Sequence, residues 1–168
     1  MTEQLSPLAL QALAIVEESG AIISANHAHP HTIRHKGRID LVTETDIAVE
    51  AFLKERLATL TPEAGFLAEE SAEDLSLPDT CWIIDPVDGT TNFAHGLPLT
   101  VTSVAYRLNG EIVLGIVNAP LLRECFIAEK GKGAWRNGER ISVSSVAACE
   151  NALVSTGFPY EIARRVDE

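Results

Sequence analysis

Cys81-Trp-Ile-Ile-Asp85-Pro-Val-Asp88-Gly-Thr-Thr-Asn92 is the stretch on which the rest of the chain turns. Trp82, Ile83 and Ile84 form a short apolar run with the character of a buried strand. Pro86 fixes φ and donates no N–H, so this strand is expected to stop at Asp85 rather than continue as a central ladder. Asp88 follows, then Gly89, which lets a ligand approach the backbone closely. Thr90, Thr91 and Asn92 read as the first turn of a short helix, closed by His95-Gly96 and kept from restarting by Pro98.

The chemistry follows from these parts. Two carboxylates at the end of a rigid strand can converge on one hard cation, and the Val87 carbonyl between them is a further candidate oxygen. Mg²⁺ prefers such oxygen ligands, keeps several waters and is commonly shared with substrate phosphate. The N–H groups of Gly89, Thr90 and Thr91 at a helix start would make an anion site beside it. An Asx-turn between strand and helix accounts for an Asp-Gly pair alone. It does not account for metal and anion elements coinciding along the whole run.

The run Trp82–Phe93 resembles the signature of the inositol monophosphatase family, Mg²⁺-dependent and lithium-sensitive phosphatases of small phosphorylated metabolites. Asp40-Leu-Val-Thr43-Glu-Thr-Asp46 resembles a second segment of that family, and Phe66-Leu-Ala-Glu69-Glu70-Ser71 a third, with Ala68 in place of the family's Gly. Lys130-Gly-Lys-Gly-Ala-Trp135 is similar to a further stretch and lacks the spacing of a phosphate loop. By this resemblance Glu69, Asp85 and the Val87 carbonyl hold one Mg²⁺, and Asp85 bridges to a second that Asp88 also holds. Glu69 and Thr90 then orient and help deprotonate the attacking water. Asp46 stands behind that water, and Lys36 lies near the site mouth. Read from the residues alone, Asp46 or Thr45 is a helix N-cap, and only one of the adjacent Glu69 and Glu70 can face a given ligand on a strand.

The implied fold is α+β, with helices on an antiparallel sheet, forming the N-terminal part of a layered αβαβα sugar-phosphatase sandwich. The resemblance implies that residues 1–168 are one N-terminal domain. A following α/β segment, absent from this sequence, would supply a Trp-Asp metal ligand and the grip on substrate hydroxyls. On that basis residues 1–168 alone are expected to bind one Mg²⁺ weakly, to hydrolyse phosphomonoesters very poorly or not at all and to self-associate through uncovered sheet. Inositol monophosphate is the leading substrate, with histidinol phosphate, fructose bisphosphate and adenosine bisphosphates as alternatives. A non-catalytic metal- or phosphate-binding module is the competing class. The complete enzyme is expected to be a homodimer.

Around these segments, Ser6-Pro7 is a helix start, and Leu8 to about Ala25 reads as an apolar helix in which Gly20 either ends the helix or permits close packing. His27, His29, His31 and His35, interrupted by Pro30, read as a polar loop with no carboxylate or cysteine ligand among them. A second helix with Val49, Phe52, Leu53, Leu57 and Leu60 on its apolar face stops at Thr61-Pro62. From Leu99 the pattern becomes a meander, turned at Asn109-Gly110 and Asn137-Gly138, with Asn151–Thr156 a last strand-like piece. The net charge of −11 argues against nucleic acid as partner. The three cysteines read as reduced thiols of a cytoplasmic protein, and no apolar run is expected to span a membrane.

Overall fold

The computed structural model describes residues 5–27, 33–35, 41–72 and 76–156. Lys36, His29 and His31 lie outside the described residues. Helix α1 spans Pro7–His27, a hairpin of β1 (Ile33–His35) and β2 (Leu41–Thr43) follows, and α2 spans Glu44–Ala58. The main sheet has seven strands in sequence order: β3 (Gly65–Ala68), β4 (Cys81–Asp88), β5 (Val101–Leu108), β6 (Glu111–Ala119), β7 (Glu124–Glu129), β8 (Gly133–Arg136) and β9 (Glu139–Ile141). A five-residue helix, α3 (Thr90–Ala94), lies between β4 and β5. The fold is α+β, and the meander is antiparallel as the Asn-Gly turns require. Asn109 and Gly110 have φ of 52° and 84°, and Asn137 and Gly138 of 50° and 81°, the positive pair of a type I′ turn. The β3–β4 pair is parallel, a relation that tight turns in sequence cannot signal.

Alternation along β5 to β7 places Val104, Tyr106, Leu114, Ile116, Cys125 and Ile127 on one face, buried against α1 and α2. Ser6 caps α1, accepting the Ala9 N–H at 3.2 Å, while its own N–H donates to Glu129 Oε2 at 2.8 Å. Gly20 is buried within α1, where a Cβ would stand 2.7 Å from Asn118 Nδ2 and 2.9 Å from Pro120 Cβ. The glycine therefore serves close packing, and the helix continues to His27. Asn118 Nδ2 crosses the same contact to donate to the Val16 carbonyl at 3.1 Å. By length and composition alone α1, with a mean hydropathy of 1.4 over its most apolar window, is long and apolar enough to cross a membrane, contrary to the sequence reading. Its fully buried Ala12, Val16 and Ile23 belong to the core.

Three further expectations change. The N-cap of α2 is Thr43, not Thr45 or Asp46: the Thr43 side chain accepts the Thr45 N–H, and Asp46 at the third helical position reaches back to the Thr43 N–H. Strand β4 does not stop at Asp85 but runs through Pro86 to Asp88, because the register against β5 slips between Asp85 and Asp88. The bulge removes the demand for a ladder donor at Pro86, and the Thr102 hydroxyl donates to the Pro86 carbonyl at 2.9 Å. Residues 152–156 form no strand; a 3₁₀ turn at Cys149–Asn151 precedes them, and Leu153 and Val154 are exposed. The outer sheet face carries Val117, Phe126 and Ala128, and no described helix packs on it.

Candidate active site

The site forms where the C-terminal end of β4 meets the first turns of α2 and α3. Trp82 anchors the strand. Its ring is fully buried and stacks on Tyr106 with centroids 4.6 Å apart, and its indole N–H donates to Thr61 Oγ1 at 2.8 Å. Asp85 is three residues further along, half-buried. In a regular strand, positions three apart point to opposite faces. The bulge breaks that alternation, so that the charge of Asp88 is felt at Asp85. Burial, then the charge and hydrogen bond of Glu69, then the charges of Asp88 and Asp46, push the Asp85 carboxyl up to about 8. Its Oδ1 is buried and has no hydrogen-bond partner.

Glu69 follows the last residue of β3, and its N–H donates to the Ile84 carbonyl at 3.1 Å, which sets it beside Asp85 across the parallel pair. Next along the chain, the Glu70 N–H donates to Glu50 Oε2 at 2.8 Å. Gly89 has φ of 90°, and a Cβ there would stand 2.8 Å from the Leu99 carbonyl, so both conformation and space call for glycine. No side chain caps the N-terminus of α3 at Gly89. Thr90 Oγ1 lies 3.1 Å from Asp46 Oδ1 and 2.9 Å from the Val87 carbonyl. Asp46 is 1% exposed and accepts on both sides: Oδ1 from Thr90, and Oδ2 from the N–H and hydroxyl of Thr43 at 2.9 and 2.5 Å. It is at once the capping-box residue at the third helical position, though not the N-cap itself, and a partner of Thr90.

The structure thus brings together Asp46, Glu69, Asp85, Asp88 and Thr90 through the charges and hydrogen bonds just given. The Val87 side chain is buried in the core, and its carbonyl faces Thr90. Thr91 is exposed. Among the described residues no three acidic, imidazole or thiol side chains converge tightly enough to enclose a metal. The donor set still suits an oxygen-seeking cation that retains water: a partnerless buried carboxyl oxygen, a neighbouring glutamate, a backbone carbonyl and uncompensated like charge. Sequence reasoning missed Thr43 and Glu50. The capping-box spacing of Thr43 and Asp46 could have identified the first. The second is an acid four residues beyond Asp46, on the same face of α2, and 4% exposed.

Residues 4–168 match the profile of the inositol monophosphatase family. The chain belongs to that family. Among curated inositol monophosphatase relatives, an inositol monophosphatase of Dictyostelium discoideum is 44% identical over 154 residues, covering 89% of this chain and 57% of its own length. A Thermotoga maritima protein described as fructose-1,6-bisphosphatase/inositol-1-monophosphatase is 46% identical over 118 residues, covering 70% of this chain and 45% of its own. A solved inositol monophosphatase/NADP phosphatase, complexed with Mg²⁺ and phosphate, superposes with a TM-score of 0.68 at 28% identity, over 76% of this chain and 49% of that one. The chain spans about half the length of the relatives it matches.

Proposed function

We propose that this chain carries the divalent-cation and phosphate half of a phosphomonoesterase site, acting on a small phosphorylated metabolite, with inositol monophosphate the first candidate. The observation that carries the reading is the partnerless buried Oδ1 of Asp85, set among Glu69, Asp88 and Asp46. A buried carboxyl oxygen without a partner, pressed by like charges, is costly unless a cation completes it. Glu69, Asp85 and the Val87 carbonyl would hold one Mg²⁺, and Asp85 with Asp88 would share in a second. Such ions, when bound, polarise the phosphoryl oxygens and offset their charge.

The chain's own residues do the rest. The backbone N–H groups of Gly89, Thr90 and Thr91 bind and orient the phosphate. Thr90, whose hydroxyl donates to Asp46, keeps lone pairs to accept a proton from the attacking water, and Asp46 is the acceptor at the end of that chain. Glu69, exposed at the mouth, orients the same water from the other side. That the superposed relative was solved with Mg²⁺ and phosphate supports a divalent-cation and phosphate site in this chain, and the Thermotoga relative's description supports fructose bisphosphate as the second substrate reading.

The test is calorimetric titration of the chain with Mg²⁺, paired with phosphate release from inositol monophosphate and fructose bisphosphate, with and without EDTA. Cation binding that disappears in Asp85→Asn and turnover that stops in EDTA are expected. Undiminished hydrolysis in EDTA would sink the proposal. Mg²⁺ binding without turnover of any phosphomonoester would leave the non-catalytic binding module.

A further inference from the structure

Asp46, Glu50 and Lys54 follow one another at four-residue intervals and so share one face of α2. Asp46 reaches Thr90 on one wall of the site. The other two reach the opposite wall. Glu50 Oε2 accepts the Glu70 N–H at 2.8 Å, Glu50 Oε1 lies 3.9 Å from Lys54 Nζ, and Lys54 Nζ donates to Ser71 Oγ at 2.9 Å. A buried acid on an otherwise apolar stretch of helix needs such partners to be tolerated. What Glu50 holds is informative. The peptide joining Glu69 to Glu70 has its N–H fixed by Glu50, while the preceding Glu69 N–H is fixed by the Ile84 carbonyl of β4, next to Asp85. Two consecutive amides are thereby tied to two different elements, and the Glu69 side chain emerges between them.

We propose that Glu50 is a positioning residue: by holding the Glu70 N–H it fixes the turn that aims Glu69 at Asp85, and so sets the site's affinity for a divalent cation. This rests on the metal-site reading given above. It touches neither cation nor substrate and acts through the backbone. Partners of this kind that orient a ligand typically change metal affinity about 10–100-fold when removed.

Two substitutions separate reach from charge. Glu50→Asp keeps the charge but is one methylene too short to hold the amide. Glu50→Gln keeps an acceptor at the same reach and loses the charge. Mg²⁺ titrated calorimetrically into each, with urea unfolding to establish that each is folded, should show binding about 10-fold weaker in E50D and within about 3-fold of wild type in E50Q. Wild-type affinity in E50D overturns the proposal. Weak binding in E50Q with wild-type binding in E50D also overturns it, because Glu50 would then act only as one more negative charge. Reduced stability in both variants with unchanged Mg²⁺ affinity overturns it as well, leaving a purely structural role. No Mg²⁺ binding by the wild type refutes the metal-site reading and this inference with it. If E50D does not fold, hydrogen exchange at the Glu70 amide decides: it must be protected in wild type and in E50Q, and an unprotected wild-type amide overturns the proposal.

Discussion

Asp46→Asn is the substitution most informative about the site, because one side chain there does two jobs. Oδ2 accepts from the Thr43 N–H and hydroxyl, and Oδ1 accepts from Thr90. Asparagine has only one acceptor oxygen. Turning it toward Thr43 preserves the cap, where the N–H donor has no alternative, and leaves the amide NH₂ facing Thr90. The Thr90 hydroxyl then donates to the Val87 carbonyl, already 2.9 Å away. The cap geometry survives but loses its charge assistance. Hydrogen bonds to a charged group contribute about 1.5–3 kcal/mol against about 0.5–1.5 for neutral ones, so the loss is about 1 kcal/mol. At this chain length that is a Tm decrease of roughly 2–4 °C. The catalytic effect is far larger. The chain running from the attacking water through Thr90 then ends on the neutral Val87 carbonyl instead of a carboxylate, and losing one preorganised group of this kind costs about 10²–10³ in kcat. The assay is phosphate release by the natural gene product at saturating Mg²⁺, beside urea unfolding followed by the fluorescence of Trp82 and Trp135. A variant with wild-type kcat, or one that loses more than about 3 kcal/mol of stability, would refute the division of labour described here.

Thr61→Val leaves the buried Trp82 N–H without an acceptor and should lower stability by about 1–3 kcal/mol, whereas Thr59→Val, at an exposed hydroxyl bonded to the Arg56 carbonyl, should change it by less than about 0.5; equal urea midpoints for the two would contradict the Trp82–Thr61 contact. In metal-free protein the Asp85 pKa, about 8, is raised above its unfolded value of 3.8, so the protonated form favours folding: stability is fully retained below pH 4 and falls as pH rises toward 8. Asp85→Asn should therefore exceed wild type in stability by a margin that grows from pH 5 to pH 8 in EDTA, and a pH-independent difference would show that Asp85 is not titrating in that window. Burial raises the Cys125 thiol to about 12 and also raises Cys81, while Cys149 is exposed, so iodoacetamide at pH 8 should label Cys149 first in mass spectra; prior labelling of Cys125 would contradict its burial.

Much was legible in the sequence because its signals are local. Serine before proline starts α1, Asn-Gly pairs take positive φ at two hairpins, alternation marks the buried face of β5 to β7, and the run from Asp85 to Thr91 supplies the residue types on which the proposed chemistry rests. Those features depend on a residue's own conformational preference or on neighbours a few positions away. What the sequence misplaced depends on partners distant in the chain. Pro86 continues β4 only because β5 accepts a slipped register, and that slip is what lets Asp88 act on Asp85. Thr43 rather than Thr45 caps α2 because Asp46, shared with Thr90 across 44 positions, turns back to it. Glu50 carries no signal beyond being an acid on a helix until folding brings the Glu70 amide to 2.8 Å from it. Residue type and spacing specify which groups are available. Which of them meet is decided by packing, since a hydrogen bond or a like-charge pair exists only at distances that the whole core enforces.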